Sequence, residues 1–312
     1  MSTYLVTGGA GFIGSHIVQE LVRRGEKVTV LDNFATGRRE NLTAVQDRLT
    51  LHEADIRSLD VIRQYFEGVD YVVHLAALPS VPRSVKDPLT SNAVNIDGTL
   101  NVLLAARDSK VKRLVFAASS SAYGDNPVLP RVEDQMPRPL SPYALTKLAG
   151  EYYCQIFWRL YGLEAVALRY FNIFGPRQNP DSPYSGVLSV FIAAYARRQT
   201  PAIFGDGEQS RDFTYVENVV DATLRACQAP QAAGKVINVG VGESHTLNRT
   251  IALLNEIYGR EVTPRYDAPR PGDVRSSEAN ISLARQTLGY EPKVRFEEGL
   301  RRTVAWFRES SG

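Results

Sequence analysis

The sequence predicts an α/β protein, a doubly wound parallel sheet carrying a smaller α/β region at its C-terminal side. Three observations predict it. Nearly continuous apolar runs alternate with amphipathic helical patterns over the first half. A glycine-spaced turn follows the first run. After Asn172 the rhythm breaks, and helices predominate.

The runs Tyr4–Thr7, Val28–Leu31, Leu49–Ala54, Tyr71–Leu75, Arg113–Ala118 and Ala165–Arg169 read as strands. Their continuity is that of parallel strands covered on both faces. Gly11–Arg24, Leu59–Phe66, Ala93–Arg107 and Tyr143–Tyr161 read as the intervening helices. Such alternation builds right-handed βαβ units. Beyond Asn172, Gly175-Pro176, Asn179-Pro180 and Ser182-Pro183 mark a long loop. Helices are then expected at Val187–Arg198, Val216–Ala226, Leu247–Tyr258, Leu283–Leu288 and Glu297–Glu309, with a strand at Val236–Val239. The division expected is 1–171 and 172–312, with the strand near 236–240 returning to the first sheet.

Composition narrows the partners. The chain has 312 residues, 44% of them hydrophobic, with 36 Lys and Arg against 34 Asp and Glu. A net charge of +2 gives no attraction to nucleic acid or anionic membrane. The arginine pairs at 23–24, 197–198 and 301–302 read as solvated helix faces. His16, His52, His74 and His245 are scattered, and Cys154 and Cys227 lack metal-ligand spacing, so no metal is expected. Two unpaired-looking cysteines and a start without a signal pattern point to the cytoplasm.

The first strand ends in Thr7-Gly8-Gly9-Ala10-Gly11-Phe12-Ile13-Gly14. Glycines at 8, 11 and 14 form a variant of the dinucleotide fingerprint. They allow a tight turn, close approach of backbone to a pyrophosphate, and close helix–strand packing. The helix that follows turns its N-terminus to the phosphates. Asp32, ending the second strand beside Asn33, can accept both hydroxyls of an adenosine ribose and repels a 2′-phosphate. It therefore selects NAD over NADP. Asp55-Ile56 after the third strand are expected near adenine. Leu75-Ala76-Ala77 after the fourth offer the small residues that a cofactor approaches. A Rossmann fold binding NAD follows.

Tyr143 and Lys147 stand at i and i+4 after Ser141-Pro142, so they share one helix face. Free tyrosine has a pKa near ~10. A neighbouring ammonium and a cationic nicotinamide favour the phenolate, which makes Tyr143 a base for hydroxyl oxidation. Ser119-Ser120-Ser121, ending the fifth strand before Tyr123-Gly124, can hydrogen-bond the reacting oxygen.

Together these residues resemble the extended short-chain dehydrogenase/reductase superfamily, specifically its nucleotide-sugar 4-epimerases. The resemblance runs through Thr7–Gly14, Asp32, Ser119–Gly124, Tyr143–Lys147, Arg169–Gly175, Gly205–Tyr215 and Arg270–Asp273. Related dehydratases carry Thr-Asp-Glu before the Val-Tyr-Gly element, and related decarboxylases a Glu two residues before that tyrosine. This chain has serines there, which removes the acid of an elimination. Ser119 takes the place of the family's catalytic Ser/Thr, with Ser120 and Ser121 able to share the role. Tyr143, Lys147 and Tyr170 also fall in the cofactor-contacting set.

The resemblance further implies a UDP-sugar site. Asn172 matches a diphosphate contact, Arg211 and Arg270 match phosphate arginines, and Asp273 matches a ribose-binding acid. Ser277 stands where a bulky tyrosine restricts some relatives to UDP-glucose and UDP-galactose. With Ser80 in Ser80-Val81-Pro82-Arg83-Ser84, it implies action on UDP-GlcNAc and UDP-GalNAc as well. The family also implies a homodimer packed through Ala93–Arg107 and Tyr143–Tyr161. A UDP-glucuronate-type epimerase, another nucleotide-sugar oxidoreductase and a non-catalytic NAD sensor are the alternatives.

Overall fold

The computed structural model describes residues 1–179, 186–269 and 274–310. Six strands form where the apolar runs predict them: β1 (Thr3–Thr7), β2 (Lys27–Asp32), β3 (Thr50–Glu53), β4 (Tyr71–His74), β5 (Arg113–Ser119) and β6 (Glu164–Tyr170). A seventh, β7 (Val236–Val239), returns from the C-terminal half and pairs parallel with β6. The sheet order is β7-β6-β5-β4-β1-β2-β3, with every pairing parallel.

The chain winds outward from β1 in one direction through β2 and β3, and in the other from β4 through β7. The strand order therefore reverses between β1 and β4, and a crevice opens at their carboxyl ends, the ligand position of open α/β sheets. The seam there is tied by side chains: Thr7 Oγ1 meets His74 Nδ1 at 2.7 Å, and His74 Nε2 meets Thr99 Oγ1 at 3.0 Å.

Helices cover both faces: α1 (Phe12–Arg23), α2 (Gly98–Asp108) and α3 (Pro142–Tyr161) from the first half, then α4 (Val187–Ala196), α5 (Val216–Gln228), α6 (Leu247–Tyr258) and α7 (Phe296–Ser310). One core lies between the sheet and α1 and α5, through Ile17, Leu21, Val219 and Leu224. A second lies on the opposite face, with Val102, Leu103, Cys154 and Phe157. A third is built by the C-terminal half from α4, α6 and α7 around Phe174, Phe191, Leu254 and Leu300.

Two helices differ from expectation. The helix predicted at Ala93–Arg107 begins earlier, at Pro88–Asn92, and passes through a π-helical turn at Ala93–Asp97 before α2. The wider turn places Asn95 inward, 2% exposed, where it makes tertiary hydrogen bonds. Leu59–Phe66 is a short α-turn, Leu59–Ile62, running into a 3₁₀ turn, Arg63–Phe66. A 3₁₀ segment at Arg39–Arg48, unmarked by apolar periodicity, also forms. Among the described residues no helix is long and apolar enough to cross a membrane.

Candidate active site

At the end of β1 the chain turns through Gly8 and enters α1. Gly8 has φ of +70°, and a Cβ there would lie 2.7 Å from the Ala76 nitrogen. A Cβ on Gly14 would lie 2.2 Å from the Gly8 carbonyl oxygen. Glycine at 8 thus lets the loop after β4 close over the turn, and glycine at 14 lets α1 seat on it. Asp32 stands at the end of β2, 6% exposed. Its Oδ2 accepts from Ala10 N at 2.9 Å and its Oδ1 from Phe34 N at 2.8 Å. Burial raises its pKa, and the two amide hydrogen bonds oppose the rise. The carboxylate is therefore fixed at the rim of the glycine turn.

A cavity of about 1360 Å³ runs from this turn across the carboxyl ends of the strands into the C-terminal half. That exceeds the ~300–1,000 Å³ of a pocket for one drug-sized ligand and suits two ligands end to end. Gly8, Gly11, Phe12, Ile13, Gly14, Asp32, Asn33, Ile56, Leu75, Ala76 and Ala77 line one end. Ser119, Ser120, Ser121, Tyr143, Lys147 and Tyr170 line the middle, and Asn172, Arg211 and Ser277 the far end.

Two expected positions fall elsewhere. Asp55 does not line the cavity, although Ala54, Ile56 and Arg57 do. Its carboxylate is held by Arg57 at 2.8 Å and accepts from Asn33 Nδ2 at 3.0 Å, which lowers its pKa to about 2, the Arg57 hydrogen bond leading. Ser80 does not line it either. Its hydroxyl caps the helix Val81–Lys86 by accepting from Arg83 N, and the neighbours Val81, Pro82 and Arg83 form the wall instead. Arg270 and Asp273 lie outside the described residues.

In the middle of the cavity, α3 starts in good order. Pro142 occupies the first turn, and Ser141 Oγ caps it by accepting from Ala144 N at 3.1 Å. The helix carries Tyr143 and Lys147 on one face, opposite the end of β5. Lys147 Nζ donates to the Ala117 carbonyl at 2.8 Å. Burial lowers its pKa to about 8, with Glu151 one turn on opposing the fall. Burial raises the Tyr143 pKa, and a hydrogen bond with Ser119 opposes the rise. Lys147 thus shares the helix face of Tyr143, with its ammonium directed at the Ala117 carbonyl.

Ser119 ends β5 and caps the following 3₁₀ turn, Ser120–Tyr123. Its Oγ accepts from Ser121 N at 3.2 Å and from Ser121 Oγ at 2.9 Å, and it is the serine bonded to Tyr143. Asp32, at the opposite end, is the one carboxylate among the described residues that line the cavity.

On the far side, Asn172 follows β6 with φ of +34°, and its Nδ2 donates to the Asp212 carbonyl at 3.1 Å. Arg211 sits on a two-residue strand, Ser210–Arg211, in parallel register with Ser276–Ser277, so Ser277 lies directly beside it. Arg211 Nη1 donates to the Ser210 carbonyl at 2.9 Å.

A family model described as the NAD dependent epimerase/dehydratase family matches residues 4–240. The chain belongs to this family. As a family member it uses NAD. Among curated relatives, a protein named putative UDP-glucose 4-epimerase from Methanocaldococcus jannaschii is 38% identical over 309 residues, covering 98% of this chain and 99% of that one. Among solved structures, a UDP-N-acetylglucosamine 4-epimerase from Methanobrevibacter ruminantium M1, in complex with UDP-N-acetylmuramic acid, is 42% identical with a TM-score of 0.95, covering 99% of each chain. A UDP-glucose 4-epimerase from Thermotoga maritima, with UDP-glucose, is 41% identical with a TM-score of 0.95, covering 99% of this chain and 100% of that one.

Phe34, Arg38, Arg83, Gln178, Phe204 and Leu247 also line the epimerase/dehydratase cavity and were missed by sequence reasoning. They come from connecting segments, helix starts or, for Phe204, the end of a three-residue strand, where no fixed spacing marks them. The φ of +57° at Phe34 has no sequence signal of its own, since the preference there is for glycine.

Proposed function

We propose that this epimerase/dehydratase family member is a UDP-sugar 4-epimerase that inverts C4 through a transient 4-keto sugar. The observation that carries the reading is the bare catalytic middle of the cavity. It holds the phenols of Tyr143 and Tyr170, an ammonium and three serine hydroxyls, with no carboxylate among the described residues. That set can move one proton to and from one oxygen. It has no acid for dehydration or decarboxylation.

Residues 1–171 with β7 hold the cofactor and 172–312 form most of the sugar side. When bound, NAD supplies the acceptor for the C4 hydride and a positive ring that favours the phenolate of Tyr143. Tyr143 takes the 4-hydroxyl proton, and Ser119 holds that oxygen in reach of the phenol. Lys147, pinned to Ala117, adds positive charge below the helix turn. Arg211 and Asn172 grip the diphosphate, and the guanidinium fork suits it. The keto sugar turns about that anchor and takes hydride and proton back on its other face. Ser277 beside Arg211 leaves space for an acetamido group. The substrates are therefore UDP-GlcNAc and UDP-GalNAc, together with UDP-Glc and UDP-Gal.

The acting form is a homodimer in the cytoplasm. On α3, Leu145, Tyr152 and Ile156 are 54%, 51% and 43% exposed and recur at helical spacing, and Leu89 on the neighbouring helix is 82% exposed. An apolar stripe of this length favours burial against a second copy. Cys154 and Cys227 are free and buried.

The test is incubation of purified protein with UDP-GlcNAc, and separately with UDP-glucose and UDP-glucuronate, without added cofactor, with products read by NMR. C4 epimers of the first two are expected. Turnover of UDP-glucuronate alone, or of none, overturns the reading. Sedimentation at two concentrations tests the dimer.

A further inference from the structure

The first turn of a helix leaves backbone N–H groups without intrahelical partners. In α3 these groups are accounted for one by one. Pro142 has none, Ala144 N is taken by Ser141 Oγ, and Leu145 N by the Ser141 carbonyl at 3.0 Å. The remaining donor, the amide of Tyr143 itself, is taken by a residue 59 positions away. It donates to Ser84 Oγ at 3.0 Å. Ser84 is 0% exposed, and its own hydroxyl donates to the Val81 carbonyl at 2.8 Å. Both sides of that hydroxyl are therefore engaged.

Ser84 sits on the short helix Val81–Lys86, whose Val81, Pro82 and Arg83 form the cavity wall beside Ser119 and Tyr143. The other end of the Tyr143 peptide is tied to the same loop. Thr146 Oγ1 donates to the Tyr143 carbonyl at 2.8 Å and accepts from Asn95 Nδ2 at 3.1 Å. Asn95 in turn accepts from Leu78 N at 2.8 Å and donates to the Leu78 carbonyl at 3.3 Å. Thr146 and Asn95 are 3% and 2% exposed. The backbone of Tyr143 is thus suspended between two points of the segment that forms the sugar-side wall.

We propose that Ser84 is a positioning residue: its buried hydroxyl fixes the Tyr143 backbone and couples the Val81–Arg83 wall to the aim of the phenol. A sugar that seats against this wall steadies the helix Val81–Lys86. Through Ser84 it steadies the first turn of α3, where the phenol must stay within hydrogen-bond reach of the 4-oxygen and Ser119. Removing the hydroxyl leaves the half-buried Tyr143 amide without its partner. The first turn then relaxes to find another partner. The inference rests on the reading of Tyr143 as the base.

The experiment compares parent, Ser84→Ala, Ser84→Thr and Tyr143→Phe as purified holoenzymes. It measures NAD content, kcat, KM for UDP-glucose and UDP-GlcNAc, and the pH dependence of kcat. Displacing a catalytic group by about 1 Å lowers turnover by up to about 100-fold. Ser84→Ala is therefore expected to lower kcat roughly 10- to 100-fold. KM is expected to stay within about 3-fold, NAD to be retained, and the kcat pH profile to move. Ser84→Thr, which keeps the hydroxyl, is expected to recover turnover. A kcat for Ser84→Ala within 2-fold of the parent, with Tyr143→Phe inactive, overturns the role of Ser84 alone. So does an unmoved pH profile. If Ser84→Ala loses NAD or fails to fold, turnover by Ser84→Thr supports the proposal and its absence overturns it. Parental turnover by Tyr143→Phe overturns the base reading and this proposal together.

Discussion

Glu151 follows Lys147 by one helical turn and is 2% exposed, and its partner Arg169 on β6 is 3% exposed. Arg169 Nε donates to Glu151 Oε1 at 2.9 Å and Nη2 to Oε2 at 2.8 Å, a two-pronged pair closed off from water. The guanidinium also lies 4.5 Å from the Tyr123 ring centroid and donates to the Glu133 carbonyl at 3.3 Å. Burial opposes the Arg169 charge, yet the paired carboxylate outweighs it and leaves that pKa raised. Glu151→Ala would keep the cation, remove its paired carboxylate and leave one long carbonyl contact, a ring and the Glu133 carboxylate, with which no ion pair is formed. Breaking a buried pair from one side costs about 3–5 kcal/mol, because an uncompensated charge stays inside. Unfolding entropy of about 2.1 cal/mol/K per residue, taken over the chain, gives about 0.65 kcal/mol/K. The expected fall in melting temperature is about 5–8 °C. Thermal unfolding of parent and variant, both with NAD bound, measures it. The double variant Glu151→Met/Arg169→Met leaves no unpaired charge and is expected to lose less than the single one. A single-variant shift below about 1 °C, or a double variant worse than the single, refutes this account of the pair.

Gly14→Ala forces a Cβ to 2.2 Å from the Gly8 carbonyl, a backbone neighbour that cannot swing aside. The purified variant is expected to lose bound NAD, and a full complement of NAD would contradict the cradle assignment. Lys147, with its pKa lowered to about 8, is charged at neutral pH and loses its cation as pH rises past that value. Turnover is expected to fall on that alkaline side, and the fall should move to lower pH in Glu151→Gln, since Glu151 opposes the lowering; an unmoved limb counts against the assignment. Asp212 is fully buried, with its pKa raised to about 6 by burial against hydrogen bonds from Val241, Gly242 and Ala279. The folded state then binds this proton more tightly than the unfolded chain, so its contribution is fully present below the unfolded value and fades as pH rises through about 6. The stability difference between parent and Asp212→Asn should shrink over that interval, and a difference independent of pH would refute it. Burial raises both cysteine pKa values, Cys227 to about 12. A thiol reagent should find neither in the folded protein and both after denaturation.

What the sequence disclosed here follows contact distance along the chain. The glycine turn, Asp32 at the end of β2, and the i, i+4 pair of Tyr143 and Lys147 are local patterns. Each places its side chains by strand ends and helix geometry alone, and each falls on the cavity. Ser277 beside Arg211 depended on pairing across 66 residues, and resemblance to a family supplied it, not periodicity. The supports of Tyr143 had neither kind of signal. Ser84 and Asn95 are a serine in a short helix and an asparagine in what reads as an ordinary helix. They gain their roles from a packing contact and a π-helical turn that no spacing announces. Ser80 and Asp55 show the converse. Both sit beside residues that line the cavity, but capping and an arginine pair claim their polar atoms.

The electrostatics of the pair show the same limit. Sequence spacing brings Lys147 to the face of Tyr143 but cannot say where its ammonium points. In the fold it points to the Ala117 carbonyl, and burial raises the phenol's pKa while lowering the lysine's. On the proposed reading of Tyr143 as the base, burial raises the phenol's pKa, the Ser119 hydrogen bond opposes the rise, and a cationic nicotinamide, when bound, would favour the phenolate further.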